Sequence, residues 1–300
     1  MTSFRNFLAE ELDETKLKHL EHAEDHVINA GHEGFSHAYH NLKDVHDRLT
    51  GKKNDTRITM KYDGSPSVVF GRHPETGRFF VASKSAFNKN PKINYTHEDI
   101  ERNHGHAPGL VSKLRAALQH LPKVTPKKGV FQGDIMHTSE DVHESDGRVH
   151  FTPNTITYSA PKNSAHGKAA SNSKIGVAIH TKYNGKNLED MQAEHGAQLH
   201  DFGLHKDVHL ISTEHHLDNI KFTPQNRERF AKAMTAAAAH NKKAKDVLAK
   251  TLSSSAEFDH SINGKKSKPE GFVVVRHNRP TKIVDRAEFS AANFNKVKAQ

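Results

Sequence analysis

From Phe4 to about Leu49, apolar residues recur at steps of three and four, through Leu17, Leu20, Val27 and Ile28 and again through Phe35, Ala38, Leu42, Val45 and Leu49. That period belongs to one face of an α-helix. Gly31 and Gly34 divide the run and Gly51 ends it, so residues 1–50 read as a small helical appendage. Past the polar linker Lys52 to Asp55 the pattern shortens to β-type runs at Arg57 to Lys61, Ser67 to Phe70 and Arg78 to Ala82. These are separated by Gly64-Ser65-Pro66 and by Pro74 to Gly77, the punctuation of antiparallel hairpins. Leu110, Leu114, Ala117 and Leu118 predict a helix over Gly109 to Leu121. Strands are expected at Gly129 to Met136, Val149 to Phe151, Thr155 to Tyr158 and Ile175 to Tyr183. A largely helical insertion about residues 187–262 follows, clearest from Asn226 to Leu252 with the alanine run Ala236 to Ala239. The chain then returns to strand at Gly271 to Arg276 and Lys282 to Val284 and closes with a helix from Arg286. The fold class is therefore expected to be α+β, with antiparallel sheets and peripheral helices in a domain spanning residues 51–300.

Composition narrows the chemistry. Hydrophobic residues make up 34% and charged ones 26%, which is polar for a folded protein but short of a disordered composition. Lys and Arg number 44 against 35 Asp and Glu, so the formal charge is +9, and 26 histidines add to it as pH falls. Such a surface attracts polyanions, with nucleic acid or a nucleotide as the natural partner. Cysteine is absent, which excludes disulfides, thiolate metal sites and cysteine nucleophiles. No stretch approaches the roughly 20 apolar residues that span a bilayer. The N-terminus carries acids where a signal peptide needs an apolar run, so a cytoplasmic protein without a membrane partner or an obligate protein partner is expected.

The sharpest local feature is Lys61-Tyr62-Asp63-Gly64-Ser65, at the point where an expected strand ends in a tight turn. A lysine nucleophile must shed a proton from an ordinary pKa of about 10.4, which requires partial burial or neighbouring cations. Gly64 lets the backbone pass close beneath a phosphate, and Ser65 with the turn amides can donate hydrogen bonds to it. Three weaker signals compete. His22 and His26 have a zinc-like helical spacing, Ala165-His166-Gly167-Lys168-Ala169 echoes the end of a phosphate loop, and Lys242-Lys243-Ala244-Lys245 is a charge run. Chance pairing among many histidines, a mobile basic loop and a solvated helix face explain them more simply.

Further pieces follow in order: Ser83-Lys84-Ser85, then Phe131-Gln132-Gly133-Asp134, the run Ile175 to Gly185, Lys268-Pro269-Glu270-Gly271 with its apolar strand, and Thr281-Lys282-Ile283-Val284. Taken with Lys61-Tyr62-Asp63-Gly64, this series resembles the motifs of the covalent nucleotidyltransferase superfamily, which comprises ATP-dependent DNA ligases, RNA ligases and mRNA capping enzymes. The resemblance covers roughly Arg57 to Phe289, and the strings KYDGSPSVVFG and FQGDIM also resemble tailed-phage proteins of ligase type. It implies an antiparallel-sheet adenylation domain with Lys61 as nucleophile and Lys282 as catalytic cation. Asp63, Gly64, Ser65, Lys84, Phe131, Asp134 and Lys268 are then expected at the nucleotide, and Glu270 at a magnesium ion. Asp134 stands where the superfamily has a glutamate, and Val284 where it often has a second lysine. Fewer than twenty residues follow Lys282, too few for the OB-type domain of DNA ligases and capping enzymes. ATP and Mg2+ are the implied cofactors, RNA or DNA ends the implied acceptors, and ligation in a phage-infected bacterial cytoplasm the implied role. The alternative is a phage structural or nucleic-acid-binding protein that keeps the ligase fold without turnover.

Overall fold

Alternation along the β-type runs becomes sheet pairing in the computed structural model, which describes residues 39–87, 90–196, 199–214, 223–229, 242–253 and 256–284. The helical pattern before residue 39, the histidines at 22 and 26, the run Ala236 to Ala239 and the closing helix from Arg286 lie outside the described residues. In chain order the described strands are β1 (Arg57–Lys61), β2 (Ser67–Arg72), β3 (Phe79–Ala82), β4 (Val130–Thr138), β5 (His143–Ser145), β6 (Arg148–Phe151) and β7 (Thr157–Pro161). They continue with β8 (Ile175–Asn184), β9 (Gln192–His195), β10 (Val208–Ser212), β11 (Asp259–Ile262), β12 (Lys265–Lys266), β13 (Gly271–Arg276) and β14 (Arg279–Val284). Helices are α1 (39–49), α2 (His97–His104), α3 (Pro108–His120), α4 (Ala165–Asn172) and α5 (Lys242–Ser253). The fold is mixed α+β with mostly antiparallel sheets. No helix among the described residues is long and apolar enough to cross a membrane.

Two compact units divide the chain: a flanking unit of residues 19–62 and 214–300, and a central unit of residues 63–213 with 1–18. In the flanking unit β13 lies between β1 and β14, antiparallel to both. Side chains directly opposite one another share a face, and so do residues two apart on a strand. Ile58, Met60, Phe272, Val274 and Ile283 therefore share one face, and all are buried. The helix α1 buries Leu42, Val45 and Leu49, each contributing roughly 1.5–3 kcal/mol by burial. Asn41 Nδ2 donates to Thr281 Oγ1 at 2.9 Å, and Arg276 Nε donates to Asp44 Oδ2 at 2.7 Å. Residues 39–49 are thus tied to β13 and β14.

The central unit is built on a sheet ordered β10-β8-β4-β2-β3, with β9 also paired to β8. Phe70, Ile135 and Ile179 of this sheet form one apolar cluster with Ile100 of α2 and Val111 and Leu114 of α3. A second cluster contains Val69, Phe80, Val130 and Tyr183. The helix α2 starts at a reciprocal cap, in which Thr96 Oγ1 accepts from Asp99 N and Asp99 Oδ2 from Thr96 N, both at 3.1 Å. An antiparallel meander β5-β6-β7 completes the unit. The described part of residues 187–262 contains β9, β10 and β11 as well as a helical segment at 224–229 and α5, and β10 pairs with β8 in parallel. Its Val208 and Ile211 are buried, so a partner strand overrides the polar, helix-like surroundings. Residues 165–172 are a helix rather than a loop, started by Ser164 Oγ accepting from Gly167 N at 3.0 Å.

Candidate active site

Lys61 is the last residue of β1 and lies directly opposite Gly271, the first residue of β13. The residue before Gly271 is Glu270, and Lys61 Nζ donates to its Oε1 across 209 positions of sequence. Side-chain exposure is 26% for the lysine and 11% for the glutamate, so the pair is partly withdrawn from solvent but open to a ligand. Lys282 of β14 lies opposite Val273, which in turn lies opposite Thr59. Applied to the other face of this sheet, the same register puts Lys61, Thr59, Val273 and Lys282 together. One face of a three-stranded sheet thus carries both lysines, while the reverse face supplies apolar packing. Lys268 is exposed just before Glu270. Lys268, Glu270, Phe272 and Ile283 also line a recess of about 40 Å³ with Ala249 and Ser253 of α5.

The boundary between the units falls between Tyr62 and Asp63, inside the lysine motif. Tyr62 is buried in the flanking unit, edge-on to Phe258 with ring centroids 6.2 Å apart. In the central unit the Asp63 carboxylate is also buried. It accepts from Asn154 Nδ2 at 2.8 Å, Thr155 N at 2.7 Å and Ile156 N at 2.8 Å, while its own N–H donates to Tyr158 Oη at 2.7 Å. These partners fasten the turn to the segment before β7. Gly64 passes so close to Asp134 and to Met136 Sδ that an added Cβ would meet the sulfur at 2.9 Å. Ser65 is exposed, and its N–H donates to Ile135 O at 3.1 Å.

Asp134 of β4 lies opposite Ser67, with 23% of its side chain exposed and His180 Nε2 3.8 Å from its Oδ2. Three neighbours absent from the sequence-based site accompany it. His180 Nδ1 lies 2.8 Å from Thr181 Oγ1. His195 is held neutral, its pKa pushed down to about 4 by burial and by His180. Gln132 accepts from Tyr183 Oη at 2.5 Å and donates to Ser67 Oγ at 3.0 Å. The only sequence signal for Gln132 and His180 was the polar alternation of β4 and β8, and His195, the last residue of β9, had none. Phe131 faces inward, with Phe70 and Phe202 at centroid distances of 6.0 and 4.7 Å, so its ring is part of the apolar core. Lys84 opens a 3-10 turn, Lys84–Phe87, whose start is tied by Ser83 Oγ and Ser85 Oγ at 2.8 Å.

The flanking unit therefore holds Lys61, Lys268, Glu270 and Lys282, and the central unit holds Asp63, Gly64, Ser65, Lys84, Phe131 and Asp134. Among the described residues no group of three or more histidine or carboxylate side chains converges as a metal cage. Glu270 offers hard oxygen donors of the type magnesium prefers, leaving its other positions to water and phosphate. Compared with known proteins, residues 16–245 and 218–298 match a single family model, described as a family of unknown function (DUF6267). No curated protein and no solved structure matches the chain.

Proposed function

We propose that this chain, which belongs to the family DUF6267, is an ATP-dependent nucleotidyltransferase that forms a lysyl-AMP intermediate on Lys61 and passes the nucleotide to RNA or DNA ends as a ligase. The observation that carries the reading is the contact between Lys61 Nζ and Glu270 Oε1, which joins two motifs distant in sequence. The shared face of Lys61 and Lys282 supports it, since attack on a phosphate needs cationic charge beside the nucleophile.

In the first step the nucleotide displaces the Lys61 amine from Glu270, the amine gives its proton to solvent, and it attacks the α-phosphorus of ATP. A P–N bond forms, the bond from that phosphorus to the bridging oxygen breaks, and pyrophosphate departs with the electron pair. Lys282 offsets charge on the phosphate oxygens, and Glu270 holds the amine at the strand end until the nucleotide arrives. Glu270 would hold a magnesium ion, which would supply further neutralisation of phosphate charge. An oxygen of a nucleic-acid 5′-phosphate then displaces Lys61 from phosphorus, and a 3′-hydroxyl displaces AMP to seal the break.

The test is to mix the protein with α-labelled ATP and magnesium and then denature it. Wild type is expected to retain acid-labile label, and Lys61→Ala and Lys61→Arg to retain none. A folded wild type that takes no label overturns the enzyme reading in favour of a ligase-fold binding protein.

A further inference from the structure

Three imidazoles in the central unit meet end to end, away from the residues considered above. Gly176 of β8 lies opposite His137 of β4 on one side and opposite His209 of β10 on the other. Adjacent strands are about 4.8 Å apart, so these two histidines start roughly 10 Å from each other. Their rings meet because residue 176 has no side chain, and a Cβ there would fall on the His137 ring. His137 Nε2 and His209 Nδ1 are 3.0 Å apart, and His209 Nε2 and His166 Nδ1 are also 3.0 Å apart. His137 and His209 are buried, whereas His166, in the first turn of α4, is half-buried.

We infer that the string His137–His209–His166 is a pH-operated latch that holds α4 on the β4–β8–β10 part of the sheet while its imidazoles are neutral and releases it in acid. Hydrogen-bond bookkeeping fixes its polarity. No described residue gives His137 Nδ1 a well-formed hydrogen bond, the Thr138 backbone beside the ring acting on it only weakly. A buried N–H without an acceptor is costly, so the favoured tautomers carry their protons on Nε2. His137 then donates to His209, and His209 donates to His166. Each imidazole-to-imidazole bond uses one proton, and the sole unused lone pair within the string is the buried one on His137.

A fourth proton leaves His137 with a buried Nδ1–H that has no good acceptor, whichever ring then carries the charge. A fifth proton points one N–H at another and breaks one of the two bonds of the string. Asp141 and Lys113 also act on His137, with opposite signs, and they pair with each other. Phe151 packs on its ring at 4.7 Å. Burial accordingly pushes His137 down to about 4 and holds His209 well below the ordinary histidine value, with repulsion from His137 and His166 adding to the shift of His209.

The experiment uses the full chain labelled with 15N-histidine. Long-range proton–nitrogen correlation at neutral pH is expected to show His137 and His209 as Nε2–H tautomers. As pH falls through the histidine range, amides 165–172 are expected to exchange roughly tenfold faster relative to those of β4 and β8. His166→Gln keeps an acceptor for His209 but cannot take the proton, and its α4 is expected to remain protected at a pH where wild type has opened. An Nδ1–H tautomer at His209, protection of α4 that does not change with pH, or unaltered acid release in His166→Gln each overturns the latch. If the variant does not fold, the tautomer and exchange measurements on wild type decide alone.

Discussion

Asp63-Gly64 and Glu270-Gly271 are the same kind of dipeptide, an acid beside a glycine at the end of a strand, yet their carboxylates are used in opposite ways. Asp63 directs its oxygens to two backbone amides and the Asn154 side chain. Backbone amides cannot leave, so that carboxylate is a fixed part of the turn. Glu270 faces the amine of Lys61, a cation on a long stem that can exchange its partner for a phosphate. The motif alone does not tell a framework acid from a chemical one; the partner does.

The harshest test of this contrast is Lys61→Ala, which should remove all covalent label while leaving the urea midpoint nearly unchanged, because a partly exposed ion pair contributes only about 0–1 kcal/mol. Next is Asp63→Ala, which leaves the Thr155 and Ile156 amides without their acceptor. At about 1–3 kcal/mol for each abandoned group, a loss of roughly 3–5 kcal/mol in urea denaturation is expected, with labelling per folded molecule little affected. If Asp63→Ala instead destroys labelling and spares stability, the two acids have been assigned the wrong way round.

Acid sharpens the contrast further. His137 falls from the ordinary 6.5 to about 4 in the folded protein, so below the ordinary value the unfolded chain binds protons that the folded one refuses. Stability is therefore full above about pH 6.5 and declines as pH falls towards 4, by about 3 kcal/mol for this histidine. His209 acts in the same direction. Urea titrations between those limits should give the same decline in wild type and in Asp63→Ala, because the imidazole string does not involve Asp63. The smallest effect is expected from Glu270→Gln, which should reduce labelling by roughly tenfold to a hundredfold and change stability by less than about 1 kcal/mol.

Strands with clear alternation were legible in the sequence, and Arg57–Lys61 and Gly271–Arg276 have the bounds the pattern predicts. Their pairing was not, because alternation says nothing about which strand 210 residues away will be the neighbour; only the order of motifs placed Lys61 and Glu270 together. The helix α2 was missed because HEDIERNH has one large apolar residue, Ile100, and so no period, although Thr96 and Asp99 spell its cap. The helix α4 was missed for the same reason: AHGKAASN is held by small residues and by His166. Strand β10 was hidden in polar surroundings and acquires its identity from β8. The role of Asp63 depends on residues more than ninety positions away, and the histidine string on three of 26 histidines that only the sheet brings into line.

The isolated bridge between Thr59 and Glu214 ties the point where the chain leaves the flanking unit to the point where it returns. Residues 63–213 are thus a guest spliced into a host whose own ladder, β1 with β13 and β14, closes without them. Until the guest folds, the host must close a loop of about 150 residues, roughly 3 kcal/mol more costly in chain entropy than closing one of five. A chain in which a short flexible linker replaces the guest should keep that ladder and the Lys61–Glu270 pair, and should assemble it faster.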